Sequence, residues 1–118
     1  MRHREIRIRF VPKREMRYSD TLGDWLIDSD GVVCIIVSDE GTEEEQFLVA
    51  LHELIEWKLC SMRGISQKAV DDFDLAYKGE NEPGDEVLSP YRKEHRFSML
   101  IEHLMAHEMG LVGYGTVE

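Results

Sequence analysis

In EIRIRFV (5–11), Ile6, Ile8 and Phe10 alternate with Arg7 and Arg9, the period-two pattern of a strand with one buried face. Two further apolar runs, TLGDWLID and VVCIIVSD, flank DSDG at 28–31, whose Asp and Gly suit a tight turn. Residues 22–28 and 32–38 are therefore expected to form a β-hairpin. The period then changes. Thr42 is a good N-cap, Glu45 completes a capping-box pattern, and Glu43, Glu44 and Glu45 suit the positive end of a helix dipole. That helix should run from about 43 to 62 and stop at Gly64, with Phe47, Leu48, Leu51, Ile55, Leu59 and Met62 on one side. A shorter helix follows Ser66, with Val70, Phe73 and Tyr77 aligned, and KGENEPGDEVLS (78–89) reads as a loop. Ser89-Pro90 starts a third helix with Phe97, Leu100, Ile101, Leu104 and Met105 as its apolar stripe, ending at Gly110. The layout is α+β: a small antiparallel sheet, made of an N-terminal strand plus a hairpin, followed by three helices.

The 118 residues fit a single domain, 1–118, and the 42% apolar and 32% charged fractions fit a globular chain. No apolar run approaches the roughly 20 residues of a membrane span, and no apolar stretch follows the basic N-terminus as a secretory signal requires. Cys34 and Cys60 lie in apolar runs and read as packing thiols, so a cytoplasmic protein is expected. The formal charge of −10 is uneven: residues 1–18 hold seven Arg/Lys against two Glu, a local +5, which leaves −15 on the rest. An acidic body disfavours nucleic acid, since phosphate contacts need clustered cations. The arginines of the first strand read instead as protection of a sheet edge.

The chemistry lies in the long helix, in FLVALHELIEWKLC (47–60). Residues four apart share a helix face, so His52 and Glu56 can bring an imidazole nitrogen and a carboxylate oxygen to one cation. At 100° per residue they lie about 80° and 120° from the centre of the apolar stripe, at the rim of a core. Glu53 is one step from His52, close enough to touch a water on the ion without ligating it. Two ligands plus an adjacent base is the arrangement that metal-assisted hydrolysis needs. With 15 Glu in 118 residues, chance gives this spacing at one of five His about 8% of the time, so its placement after a hairpin and a capped helix start carries the weight. A third ligand is expected from YRKEHRF: His95 is favoured, because zinc sites combine nitrogen or sulfur with oxygen, and Glu94 is the alternative. The His103/His107 pair ranks below them. In VDDFD, Asp71 and Asp74 are placed to hold a ligand imidazole from outside.

HELIE resembles the zincin metallopeptidase motif H-E-x-x-H, with Glu in place of the second His. The hairpin-then-helix context is also similar, as in short proteins of bacterial and phage origin that carry the same arrangement. The resemblance covers residues 20–64, and more loosely 89–109. It implies a zincin-like fold with His52 and Glu56 as ligands and Glu53 as the base, acting on a peptide or small-molecule amide through water on the metal. The departure adds one negative charge at the ion, so its water is less acidified, and Mn²⁺ or Fe²⁺ become suitable beside zinc. Two other readings stand beside it. One is a Mg²⁺-dependent nucleotide pyrophosphatase using Glu53, Glu56, Asp71 and Asp74; the other is a non-enzymatic interaction module steered by its acidic surface. A homodimer through the exposed edge or the third helix is compatible with each.

Overall fold

The computed structural model describes residues 4–79 and 82–114; Met1–His3 of the basic stretch, residues 80 and 81 of the 78–89 loop and residues 115–118 of the tail lie outside them. Among the described residues the order is β1 (Ile6–Val11), β2 (Gly23–Ile27), β3 (Val33–Ser38), α1 (Glu43–Met62), α2 (Gln67–Ala76) and α3 (Arg92–Glu108). This is the expected α+β class. The chain divides into two compact units after Leu54, a point inside α1.

In the first unit, β2 and β3 form the expected antiparallel hairpin, with Gly23 opposite Val37, Trp25 opposite Ile35 and Ile27 opposite Val33. Its turn is held by Asp28, whose Oδ1 accepts from the backbone N–H of Asp30 at 2.8 Å and Val32 at 3.0 Å. Gly31 supplies the positive φ, 83°, that a side chain would resist. The expectation of a wholly antiparallel sheet fails at β1. The strand order is β1-β3-β2, and β1 runs parallel to β3, with Ile6 opposite Val33 and Phe10 opposite Val37. The cause is the link between β1 and β2, which crosses the end of β3. There the Ser38 N–H donates to the Leu22 carbonyl and the Asp39 N–H to the Val11 carbonyl, each at 2.8 Å. A 3-10 turn at Lys13–Glu15 and the Arg17–Asp24 ion pair, 2.7 Å, shape that link. The sheet is mixed, and β1 lies at one edge.

Ile35 and Val37 are fully buried, joined by Val33, Trp25 and, from α1, Leu48 and Ala50. The capping box forms as its sequence requires: the Glu45 N–H donates to Thr42 Oγ1 at 3.1 Å, and the Thr42 N–H to Glu45 Oε1 at 2.8 Å. The helix approaches β2 so closely that a Cβ on Gly23 would sit 2.5 Å from Val49 Cγ1 and 2.8 Å from Glu53 Cγ. Cover does not extend to β1. Ile6, Ile8 and Phe10 stay 41–50% exposed.

In the second unit, α1 ends at Gly64 (φ 71°), with the Ile65 N–H donating back to the Cys60 carbonyl at 2.9 Å. Ser66 caps α2 by accepting from the Ala69 N–H at 3.1 Å. α3 begins two residues later than Ser89-Pro90 suggests: Ser89 Oγ accepts from the Tyr91 N–H at 3.2 Å, and Tyr91 is the N-cap. Trp57, Cys60, Val70, Tyr91 and Ala106 supply the apolar interior. The expected stripe of α3 contributes only in part: Ile101 and Met105 are half-buried, but Phe97, Leu100 and Leu104 are exposed, while Glu94, His95 and Ser98 are buried. The helix is turned so that its polar side faces inward, and the site explains why.

Candidate functional site

A helix that buries a His, a Glu and a Ser in preference to Phe and Leu forgoes apolar burial worth about 1.5–3 kcal/mol per large side chain. Such an arrangement needs polar partners, and α1 provides them. Glu56 is 5% exposed and His95 6%, and His95 Nδ1 lies 2.9 Å from Glu56 Oε2. α1 is one unbroken helix from Glu43 to Met62, so its own geometry sets His52 one turn before Glu56 on the same face. His52, expected at the rim of the core, is 8% exposed; the buried face of α1 is rotated toward it, while Phe47 and Met62 lie open. One ligand atom each from His52, Glu56 and His95 falls within 4.8 Å of the others.

Two imidazole nitrogens and one carboxylate oxygen are a donor set that catalytic zinc uses, leaving a position for water or substrate. Ligands about 2.0–2.2 Å from a tetrahedral ion stand roughly 3.4 Å apart. The Glu56–His95 pair, 2.9 Å apart, is slightly inside that span, and the three ligand atoms all lie within 4.8 Å of one another. Glu53 keeps its distance from the cluster, its Oε2 lying 4.0 Å from His52 Nε2. It stands beside Gly23, at the start of β2, the edge strand on the other side of β3 from β1.

The alternative third ligand has a different partner. Glu94, buried, accepts from Arg63 Nη1 at 2.7 Å, an ion pair that holds the end of α1 to the start of α3. Asp74 Oδ1 accepts from the Tyr91 hydroxyl at 2.6 Å, and the Tyr91 ring meets the His95 ring edge-on, centroids 6.2 Å apart. Asp74 thus reaches His95 through Tyr91. Asp71 Oδ2 accepts from Gln67 Nε2 at 3.2 Å within α2. His107 is exposed, and His103 lies edge-on to Tyr114 at 6.1 Å.

The carboxylates nearest the other side of His95 are ones the sequence left in a loop. Glu82 Oε2 lies 3.1 Å and Asp85 Oδ1 3.6 Å from His95 Nε2. Glu82 precedes and Asp85 ends a 3-10 turn, Pro83–Asp85, whose Gly84 packs on the ring so tightly that a Cβ there would fall 2.5 Å from His95 Cγ. The signal for them was only the acidic, Pro-Gly composition of 82–86. Fully buried Ser98 Oγ, one turn along α3 from His95, has no hydrogen-bond partner among the described residues, which leaves a hydroxyl suited to a water in this polar interior.

Cys34 and Cys60 are buried free thiols, as their apolar runs suggest. Burial, reinforced by the Asp28 carboxylate, pushes the Cys34 thiol up from its ordinary pKa. Among the described residues no helix is long and apolar enough to cross a membrane. Compared with known protein families, curated proteins and solved structures, the chain finds no match, so the functional argument rests on the site's own geometry.

Proposed function

We propose that the protein is a metal-dependent hydrolase of an amide or related bond, zincin-like in its site, working in the cytoplasm. His52, Glu56 and His95 hold one divalent ion, zinc by donor set, with Mn²⁺ or Fe²⁺ as alternatives. The observation that carries this reading is the burial of all three groups around one point, at the expense of apolar residues left outside. Burying ionisable groups together is costly unless their charge is balanced, and a cation placed among these groups would balance it.

The ion would supply an acidified water and polarise a carbonyl. Glu53 takes the proton from the attacking water and returns it to the leaving amine, which suits a carboxylate near the ligands but outside them. A substrate carbonyl held against β2 near Gly23 would lie beside Glu53. Helix packing on Gly23 fixes where that carboxylate can stand.

Elemental analysis of protein purified without a metal-affinity tag tests the proposal. One transition-metal ion per chain is expected, lost in His52→Ala, Glu56→Ala and His95→Ala and kept in Glu53→Gln. Metal-free protein that gains no stability on adding Zn²⁺ or Mn²⁺ would refute it. Release of pyrophosphate from a nucleoside triphosphate with Mg²⁺ alone would favour the nucleotide reading instead.

A further inference from the structure

We propose that the outer face of α3 is a self-association surface, on which a second copy of the chain packs its own α3 antiparallel about a twofold axis. The inference is independent of the metal reading, because it concerns the opposite side of the helix.

The observation is a spacing. Lys93, Phe97, Leu100, Leu104 and His107 follow one another at intervals of four, three, four and three residues, and all five are exposed. That is the repeat of a coiled-coil seam, here with three large apolar side chains at its centre and a polar residue at each end. Phe97, Leu100 and Leu104 are 47%, 55% and 58% exposed. A single exposed leucine needs no explanation, but three large apolar side chains in register form a continuous strip. At 100° per residue they lie about 140–200° round the helix from His95, so a partner on this face leaves the buried polar side untouched.

Charge identifies the occupant. The start of α3 carries Arg92, Lys93 and Arg96, and its early acid, Glu94, is buried and bound to Arg63. Glu102 and Glu108 lie toward the other end. One α3 therefore has a basic end, an apolar strip and an acidic end. Lys93 stands four residues before Phe97 and Glu108 four residues after Leu104, equally far from the middle of the strip. A twofold axis through that middle brings Phe97 of one copy level with Leu104 of the other. It also brings Lys93 level with Glu108 of the other copy, and the contact is made twice by symmetry. Parallel pairing would instead set like charges together at both ends and align the two helix dipoles. Three side chains from each copy supply less than the roughly 800 Å² per partner of a standard interface, so the dimer is weak and exchanges rapidly.

Sedimentation equilibrium of the untagged full-length chain, from about 1 to 500 μM, tests the proposal. The mass should climb with concentration from the 13.7 kDa of one chain toward twice that value. Leu100→Asp and Leu104→Asp, both at exposed positions where folding survives, should each keep the chain monomeric over the same range. Lys93→Glu should weaken association by about 3–10-fold, and Lys93→Glu/Glu108→Lys should recover it, a rescue that a change in apolar area cannot produce. A chain that stays monomeric throughout overturns the proposal and leaves the strip to a different partner. A dimer that survives Leu100→Asp is held by another surface, such as the β1 edge, and overturns it too. Charge reversal without effect, which parallel pairing predicts, overturns the antiparallel arrangement.

Discussion

Gly23→Ala tests the closest approach in the first unit. The new Cβ would lie 2.5 Å from Val49 Cγ1 and 2.8 Å from Glu53 Cγ, where ordinary contact begins near 3.4 Å, so about 0.9 Å of overlap must be relieved against Val49. Glu53 can swing aside. Val49 cannot do so cheaply, because a β-branched side chain in a helix has one favoured rotamer. Overpacking of this kind costs about 1–3 kcal/mol, offset by roughly 0.5 kcal/mol because alanine lowers the entropy of the unfolded chain. A net loss of about 1–2 kcal/mol corresponds to roughly 4–8 °C in melting temperature for a chain of this size. Urea unfolding of the single variants and of Gly23→Ala/Val49→Ala measures it. Val49→Ala alone should cost about 1–2 kcal/mol, yet the double variant should be little worse than Val49→Ala, a coupling of at least about 1 kcal/mol. Strict additivity would show that the two side chains do not collide, and the packing argument would be wrong. Metal uptake should survive Gly23→Ala. Hydrolysis should drop by roughly 100-fold for each ångström that the Glu53 carboxylate is displaced.

Other expectations separate the remaining roles. Glu94→Gln should leave metal stoichiometry intact and cost stability, whereas His95→Ala should lose the ion; Arg63→Ala should destabilise by about 1–2 kcal/mol, less than a fully buried pair because Arg63 is half in solvent. A Glu94→Gln protein without metal would return Glu94 to the ligand set. Thr42→Ala should lower stability by about 1 kcal/mol through loss of the cap on α1, read in the same urea titration, and an unchanged midpoint would contradict the capping box. Cys34 should alkylate slowly at pH 7 and faster as pH rises past 9, since its raised pKa keeps it protonated in the folded chain; rapid labelling at neutral pH would refute that.

Local chemistry in the sequence identified the features that depend on local chemistry. The Asp28–Gly31 turn, the Thr42/Glu45 box and the stop at Gly64 each need only neighbours within a few residues, and each is formed. His52 and Glu56 are likewise paired by helix geometry alone. Two things were not legible. Alternation along β1 reveals its faces but not its direction, which the 12–22 link decides by crossing the end of β3. Periodicity also assigns the most apolar side of α3 to the core, and here a polar site claims that side, leaving Phe97, Leu100 and Leu104 outside. Glu82 and Asp85 were hidden for a related reason: a loop's composition does not say which ring it folds over.

The parallel pairing of β1 has a consequence for how the chain acquires its shape. Ile6 is synthesised before Val33 yet has no strand partner until Val33 exists, some 27 residues later, while the hairpin closes across a few residues. Of the three strands of this sheet, the one made first is therefore the last to be seated, and with both of its faces half bare it should be the first to let go. Its amides should exchange with deuterium well before those of the hairpin.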